Sequence, residues 1–367
     1  MKILHVEGGR NLYGGALQVL YLMEGLAARG QTNVLACPQG SDLARAGAPF
    51  AEVHAMPMGG DLDLRLVPRL RRCIGRCRPD LVHLHSRIGA DVMGGIASRW
   101  AGVPAVHTRR VDNPESRWMV ALKYRLHERV IAISEGIGNV LLAEGLPRDK
   151  LRVVRSAVQW ERFEGPCERE RVCAELGVPP RARLIGVVAQ LIGRKGHRFL
   201  IEAMRDLASE LPDLVVLFFG KGPEEQDLRQ RIAAAGLQDR VRLAGFRRDL
   251  PDILPCLDLL VHPATMEGLG VSLLQAACAS VPIVASDAGG IPEAVRDGIN
   301  GLLVPPGNVE ALAEAMRSLL LDRELARRMG LAGKELMQRE FSVDVMVEGN
   351  LAVYREVLAE RSREHAD

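Results

Sequence analysis

The sequence predicts an α/β protein built from two doubly wound, Rossmann-like domains, and three observations support this prediction. The chain has 367 residues, more than a single hydrophobic core usually serves. Short apolar runs alternate with amphipathic helical patterns along the whole chain. The runs are continuously apolar, as in "LVVLFFG", which is typical of parallel strands that are buried on both faces.

Twelve apolar runs are predicted to be strands, six in each half of the chain. In the front half they are "ILHV", "TNVLAC", "LVHLH", "PAVH", "RVIAIS" and "LRVV". In the back half they are "LIGVVA", "LVVLFFG", "VRLAG", "LDLLVHP", "VPIVAS" and "GLLVP". Helical patterns such as "GALQVLYLMEGLAARG" lie between them, so each half predicts one doubly wound domain.

A polar stretch with paired prolines, "WERFEGPCERERVCAELGVPPRAR", separates the two series and is predicted to be the linker. We therefore predict domains at residues 1–165 and 166–341. Residues 342–367 form a further segment, helical in pattern from Ser342 to His365, that is expected to pack back across the domains. Ligands in such folds bind beyond the carboxyl ends of the strands, so a cleft between the domains is the expected site.

Charge and cysteine content say something about partners and compartment. Residues 1–165 hold 23 Lys and Arg against 16 Asp and Glu (23 − 16 = +7), and the remainder holds 25 against 30 (25 − 30 = −5), so the front half is basic and the back half mildly acidic. The seven cysteines are odd in number and form no C-x-x-C pair, which argues against a disulfide framework or a structural zinc site and favours a reducing cytoplasm. The N-terminus is interpreted as a strand start rather than a signal peptide. No segment approaches the roughly 20 apolar residues that span a bilayer.

Two junctions combine glycine with the start of a helix and indicate anion binding. In "VEGGRNLYGGA", Gly14 and Gly15 open a helix whose free N–H groups point at any ligand there. In "VVAQLIGRKGHRFLIEA", Arg194 and Lys195 arrive just before a helix, an arrangement that suits a pyrophosphate. The alternative for Gly14 and Gly15 is a plain turn, and the alternative for Arg194 and Lys195 is a solvated loop.

The third junction is "HPATMEGLGVSLLQA". Glu267 follows a buried strand, and the next helix is predicted to begin near Leu269. Gln275 lies about one and a half turns inside that helix. Glu267 has the alternative of being a simple helix-start carboxylate. The backbone N–H groups predicted to hold a phosphate belong to Gly268, Leu269, Gly270 and Val271.

These motifs occur together in a known family. Lys195-Gly196, "FFGKGPEEQDL", "EGLGVSLLQA", "ASDAGGIPEAV" and "DGINGLLVPPGN" follow one another as in the family-4 retaining glycosyltransferases of the GT-B fold, which the chain resembles over nearly its full length. The front half matches by its Gly-Gly loop, "VHTRR" and "IAISEGI". The resemblance implies transfer of a sugar from a nucleotide-sugar donor, most commonly a UDP-sugar, with retained anomeric configuration and without a metal or other cofactor.

The resemblance also implies roles for individual residues. The back domain would bind the nucleotide and the front domain the acceptor. Gly14 and Gly15 would approach the donor phosphates, and Lys195 would pair with the pyrophosphate. Glu267 would hold a hydroxyl of the donor sugar, and His107 would lie against the reacting sugar.

The chain departs from the family pattern at two positions in the back half. Gln190 stands where the family usually has an arginine, five residues before the lysine, and Arg194 is the candidate substitute. Gln275 stands where the family usually has a second glutamate. An amide still bonds ribose hydroxyls. Two alternatives stay open: a nucleotide-sugar epimerase on the same fold and, because of Gln190 and Gln275, a non-catalytic nucleotide-sugar-binding protein.

Partners follow from the resemblance and from charge. The expected acceptor is a glycan or lipid-linked molecule of bacterial polysaccharide or lipopolysaccharide synthesis, used at the inner face of the membrane. The basic stretches "LRLVPRLRRCIGRCRP" and "RWMVALKYRLHERV" fit weak binding to anionic lipid or, equally, ordinary surface helices. Nucleic acid is not predicted, because no basic stripe is interleaved with stacking aromatics. His83 and His85 alternate on one strand without a third ligand, so no metal is predicted there.

Overall fold

In the computed structural model, which describes residues 1–87 and 89–364, the chain divides into two units. Unit 1 comprises Met1–Ala157 and Val343–Asp367, and unit 2 comprises Val158–Ser342. The division thus falls after Ala157, 165 − 157 = 8 residues before the predicted boundary. The predicted helix end at His365 and the last two residues of the predicted C-terminal segment lie outside the described residues.

Unit 1 contains a parallel sheet of seven strands in the order β3-β2-β1-β4-β5-β6-β7. The six predicted front-half strands are present, and β3 is a further strand that the sequence pattern did not predict. That strand, "EVHAM", lies at the edge of the sheet and is only partly buried, so it does not form an apolar run. The strands are β1 (Lys2–Val6), β2 (Thr32–Pro38), β3 (Glu52–Met56), β4 (Leu81–Leu84), β5 (Ala105–Arg109), β6 (Arg129–Ala132) and β7 (Leu151–Val153).

Six helices of unit 1 follow its strands and bury their apolar faces on the sheet. Leu70 and Ile74 of α3, for example, join Leu4 and Val82 of the central strands in one core. The loops that lead from the strands into these helices therefore lie at the carboxyl ends of the strands. The helices are α1 (Gly14–Ala28), α2 (Asp42–Gly47), α3 (Leu66–Cys77), α4 (Ala90–Ala101), α5 (Arg117–Lys123) and α6 (Glu135–Ala143).

Unit 2 contains a parallel sheet of six strands in the order β10-β9-β8-β11-β12-β13. All six predicted back-half strands are present, and β8 and β11 lie side by side where the chain reverses direction across the sheet. Ligands of doubly wound sheets bind at such a reversal point. The strands are β8 (Arg183–Val188), β9 (Leu214–Phe219), β10 (Val241–Gly245), β11 (Leu259–His262), β12 (Ile283–Ser286) and β13 (Gly301–Val304).

Eight helices belong to unit 2, and α8 and α13 contribute much of its largest core, with Leu200, Met204 and Met316 packed on Val216 and Val261. Among the described residues, no helix has the length and apolar composition that crossing a bilayer requires. The helices are α7 (Arg169–Leu176), α8 (His197–Glu210), α9 (Glu225–Ala234), α10 (Leu250–Ile253), α11 (Val271–Cys278), α12 (Ile291–Ala294), α13 (Val309–Leu321) and α14 (Arg323–Glu340).

The last helix, α15 (Val343–Glu364), packs on unit 1 and completes its core. Leu351 and Tyr354 share one apolar cluster with Ile3 and Leu26. The Tyr354 hydroxyl also lies 2.6 Å from His83 Nδ1 in the middle of the sheet. Unit 1 is therefore assembled from both ends of the sequence.

Cys167 and Cys256 form a disulfide, which corrects the expectation that the cysteines carry none. The two residues are 89 positions apart, so their spacing gives no sign that they meet. Folding brings them together because the segment that enters unit 2 lies against the turn before β11, where Arg169 NH1 donates to the Cys256 carbonyl at 2.8 Å. The other cysteines are free and buried: Cys37, Cys73, Cys77, Cys173 and Cys278.

Candidate functional site

The strongest candidate site lies in unit 2, at the carboxyl ends of the adjacent strands β8 and β11. Lys195 closes a short 3₁₀ turn between β8 and α8, and Glu267 lies in the loop between β11 and α11. The two residues are separated by 72 positions and form an ion pair through Lys195 Nζ and Glu267 Oε2. The structure therefore joins two residues that the sequence analysis had assigned to different parts of one ligand.

A histidine that the sequence analysis did not assign completes this cluster. His262, the last residue of β11, places Nε2 at 2.9 Å from Glu267 Oε2, while the Gly268 N–H donates to Glu267 Oε1 at 3.1 Å. Burial alone would raise the pKa of Glu267, but His262 and Lys195 outweigh it and hold that pKa well below its ordinary value. Glu267 is thus an ionised acceptor throughout the working pH range.

A second unassigned histidine, His197, lies beside the cluster at the start of α8. Its ring packs edge-on against Phe218, and neither ring nitrogen has a hydrogen-bond partner among the described residues. Burial, with a smaller contribution from His262 and Lys195, lowers the pKa of His197 to about 4. This ring is therefore neutral at pH 7. Each of these two histidines stands where a buried strand or turn meets a predicted phosphate loop, and this position is the one signal that could have found them.

Three loops pack closely around the Lys195–Glu267 pair. The Thr265 N–H donates to the Arg194 carbonyl at 2.8 Å, which fastens the lysine loop to the glutamate loop. A Cβ on Gly196 would lie 1.9 Å from the Pro263 carbonyl oxygen, and one on Gly289 would lie 2.1 Å from that of Glu267. Both glycines also have positive φ, so larger residues would force the loops apart. The pair consequently sits on a fixed backbone.

The helix after Glu267 begins at Val271, two residues later than predicted. Gly270 has a φ of 84°, a left-handed conformation that a helix cannot continue through, so Gly268 and Leu269 belong to the loop. In the first turn of this helix the Leu273 N–H donates to the Gly270 carbonyl at 2.9 Å, and the N–H groups of Val271 and Ser272 have no earlier helical residue to accept from them. Gln275 lies on this helix with its side chain half-buried. Its predicted contact with a ribose, and the phosphate contacts of residues 268–271, stay predictions.

In unit 1, Gly14 and Gly15 form the first turn of α1, as predicted. A Cβ on Gly15 would lie 3.2 Å from Arg110 Cδ, so the helix start rests on this arginine. Burial lowers the pKa of Arg110 to about 10, and the charge of Glu7 opposes that shift. The same carboxylate accepts the Gly9 N–H at 2.7 Å, which folds the preceding loop. Glu7 and Arg110 thus lie next to the loop that was predicted to meet an anion.

His107 lies on β5, with its side chain fully buried inside unit 1. Its Nδ1 is 3.1 Å from the Leu84 carbonyl oxygen and donates to it, and its Nε2 has no hydrogen-bond partner among the described residues. Burial, with a smaller contribution from the neighbouring His127, holds the pKa of His107 well below its ordinary value. The ring is therefore neutral at pH 7, and its predicted place against a reacting sugar stays a prediction.

Comparison with known proteins agrees with this architecture. Residues 168–336 match the model described as glycosyl transferases group 1, and residues 13–162 match that of glycosyltransferase family 4. The chain is 32% identical to 2-deoxystreptamine glucosyltransferase of Streptomyces kanamyceticus over 76% of this chain and 77% of that protein. It is 28% identical to the lipopolysaccharide core biosynthesis mannosyltransferase LpsB of Rhizobium meliloti, over 56% of this chain and 61% of that protein.

Among solved structures, Anabaena Alr3699/HepE in complex with UDP superposes with a TM-score of 0.85 at 23% identity. The match covers 97% of this chain and 100% of that one. At this level of identity the likeness concerns the fold, which is the GT-B fold of glycosyltransferases.

Proposed function

Because the chain belongs to glycosyltransferase family 4 and is therefore a transferase, we propose that it moves a hexosyl group from a nucleotide-sugar donor to an acceptor with retention of the anomeric configuration. The observation that carries this proposal is the Lys195–Glu267–His262 cluster at the carboxyl ends of β8 and β11. A buried cation beside an ionised acceptor and a helix start is suited to a diphosphate and a polyhydroxyl ring together.

The proposed chemistry is stabilisation of a leaving diphosphate. Breaking the bond between the sugar and the phosphate builds negative charge on the diphosphate and positive character on the anomeric carbon. Lys195, assisted by Arg194 and by the N–H groups at the start of α11, would stabilise that negative charge. The acceptor hydroxyl would then attack from the face that the diphosphate leaves and pass its proton to the leaving diphosphate oxygen, so configuration is retained. No metal ion is assigned a part in this step.

Donor recognition is proposed to be divided between two side chains. Glu267 would accept hydrogen bonds from hydroxyls of the donor sugar, for which its ionised state is suited. Gln275 would bond the ribose. We propose a UDP-sugar as donor, and the fold shared with the UDP complex of Alr3699/HepE supports that choice.

The proposed acceptor is a glycan or a lipid-linked molecule of bacterial polysaccharide or lipopolysaccharide synthesis, bound by unit 1. The relative LpsB, named for lipopolysaccharide core synthesis, supports this acceptor class. The relative that glucosylates 2-deoxystreptamine supports a small aminocyclitol as a second candidate. We place the reaction in the cytoplasm, at the inner face of the membrane.

The proposal is tested with a panel of nucleotide sugars, each incubated with and without glycan, lipid-linked and aminocyclitol acceptors. Acceptor-dependent release of the nucleotide diphosphate, with a product of retained configuration, is the expected result. Conversion of the donor to a sugar isomer without acceptor would indicate an epimerase instead. Donor binding without turnover across the panel would indicate a non-catalytic binding protein.

Replacement of His107 by alanine is expected to retain donor binding and to lower transfer by about 10²-fold or more, the usual cost of losing a group that acts on protons or charge in the reaction. Calorimetry with the nucleotide diphosphate and a transfer assay measure the two effects. His127→Ala is the matched control, because it truncates a neighbouring buried ring with no proposed role in the reaction. Equal loss of transfer in both variants would make His107 a packing residue.

Weak binding of unit 1 to anionic membranes is also proposed, and α5 supports it. Trp118 and Leu122 expose 68% and 62% of their surfaces on this short helix, with Arg117 and Arg125 nearby in sequence. Exposed apolar side chains beside cations are typical of helices that lie in a lipid headgroup layer.

We expect the protein to sediment with vesicles that contain anionic lipid at low salt and to be released as salt approaches about 0.15 M, where charges are screened beyond about 8 Å. Trp118→Ser should lower the bound fraction several-fold, whereas Trp100→Ser, which removes an exposed tryptophan from α4, should not. Failure of the unaltered protein to sediment at low salt would remove the membrane from the proposal.

A further inference from the structure

A cluster of potential metal ligands lies in unit 1, between the edge strand β3 and helix α3. Glu52 and His54 are two positions apart on the strand and so share one face. Cys73 and Cys77 are four positions apart on the helix and also share one face. His54, Cys73 and Cys77 bring their ligand atoms within 4.8 Å of one another. Residues from two neighbouring elements thus converge on one point.

The separations of the ligand atoms match those of a tetrahedral zinc site. Zinc–sulfur bonds of about 2.3 Å and zinc–nitrogen bonds of about 2.05 Å place two sulfurs about 3.8 Å apart, and a sulfur and a nitrogen about 3.6 Å apart. The Cys73 and Cys77 sulfurs are 3.7 Å apart, and Cys77 Sγ lies 3.4 Å from His54 Nε2. A shift of a few tenths of an ångström accommodates the ion.

A fourth ligand is at hand. Glu52 Oε1 lies 2.8 Å from His54 Nε2, on the side of the imidazole where the sulfurs also lie. The Glu52 carboxylate is not among the ligand atoms that all lie within 4.8 Å of one another, so this side chain would have to turn toward the sulfurs to complete a tetrahedral site, in which oxygen and sulfur ligands are about 3.6 Å apart. The Glu52 side chain is 59% exposed and can make that adjustment. Its exposure also provides a route for the ion from solvent, while both thiols are buried.

The three histidines in the middle of the same sheet are a weaker candidate. His5, His83 and His85 also lie close enough for one ion. However, both ring nitrogens of His83 are engaged, with Tyr354 and Thr108, and both of His5 are engaged, with His85 and Asn33. An ion there would break several buried hydrogen bonds, each of which is costly to lose. Hydrogen bonding within the core accounts for that cluster.

We propose that Glu52, His54, Cys73 and Cys77 bind one Zn²⁺ ion that fastens β3 to α3. Thiolate and imidazole ligands together select zinc over the harder magnesium and calcium ions. The ion would hold an edge strand that is only partly buried and has a neighbouring strand on one side alone. Its role is structural and is independent of the proposed transfer reaction, because all four ligands lie outside the candidate site.

The test measures metal uptake by the full chain in the presence of a reductant. Equilibrium dialysis is expected to give one tightly held Zn²⁺ per chain, and Co²⁺ in its place should show the visible and thiolate charge-transfer bands of a tetrahedral site. His54→Gln should weaken Zn²⁺ binding by more than about 100-fold, beyond the loss typical of outer-shell partners. This variant changes a half-buried side chain and is expected to fold, which circular dichroism checks.

Cys73→Ser should abolish the cobalt–thiolate band, and Cys173→Ser, which removes a free buried cysteine from unit 2, should leave it unchanged. If the unaltered protein and His54→Gln took up equal amounts of zinc, the proposal would be overturned. The ion would then be held elsewhere, for example by reduced Cys167 and Cys256, which are intact in that variant. A Cys73–Cys77 disulfide formed in place of metal uptake would overturn it as well.

Discussion

Glu267→Gln is expected to nearly abolish sugar transfer and to leave affinity for the nucleotide diphosphate largely intact. The substitution keeps the shape of the side chain but removes the charge that binds Lys195 and, by our proposal, the sugar hydroxyls. Hydrogen bonds to a charged group contribute about 1.5–3 kcal/mol, against about 0.5–1.5 kcal/mol for neutral ones. A transfer assay and calorimetry with the diphosphate measure the two effects.

Two further variants make this result interpretable. Glu202→Gln changes an exposed carboxylate on α8 and should have no effect on transfer. Gln275→Glu restores the family's usual residue and should tighten diphosphate binding several-fold at most, because it acts on the proposed ribose contact. If Glu267→Gln and Gln275→Glu changed turnover equally, the proposed division between sugar and ribose would be wrong.

The stability of the Glu267 variant needs its own measurement. The pKa of Glu267 is lower in the folded protein than in the unfolded chain, so its ionised form stabilises the fold above its ordinary pKa. That stabilisation is lost as the pH falls through the folded value. Breaking a buried ion pair by removing one partner can cost about 3–5 kcal/mol. Thermal unfolding at pH 7 therefore has to show that the variant is folded at the assay temperature.

Lys195→Ala is expected to lower transfer by about 10²-fold or more and to weaken binding of the diphosphate. The reason is the loss of a cation aimed at the charge that develops on the leaving group. Arg198→Ala is the matched control. Arg198 lies three residues after Lys195, and its exposed guanidinium stacks on the Phe199 ring. The assay compares initial rates of both variants at saturating donor. Near-normal turnover of Lys195→Ala would exclude Lys195 from the reaction.

Sequence patterns predicted the sheets well because buried parallel strands are read directly as apolar runs. All twelve predicted strands are present. The one strand that was not predicted, β3, lies at the edge of the sheet, and its polar residues Glu52 and His54 make its sequence resemble a loop. The start of α11 was placed two residues early, because the local pattern does not show that Gly270 is left-handed, with a Cβ position only 2.7 Å from Leu273 Cδ1.

The candidate site was predicted only in part, because its members meet through folding. Lys195 and Glu267 were each found from a local pattern, but their ion pair joins positions 72 apart. His262 was missed since a histidine at a strand end has no periodic signature. The burial of His107 depends on Tyr124 and His127, which follow it on other elements. The Cys167–Cys256 disulfide, across 89 positions, was hidden for the same reason.

Helix α15 has a consequence for the order in which the protein can be completed during synthesis. Unit 2 ends at Ser342, so every residue of its core has been translated before α15 is made. Unit 1 begins first but has to wait for Leu351 and Tyr354, which close its cluster around Ile3 and Leu26. Domains generally fold as their residues emerge from the ribosome. Here the unit that is translated first is finished after the other one, and its apolar surface stays open until α15 has been made.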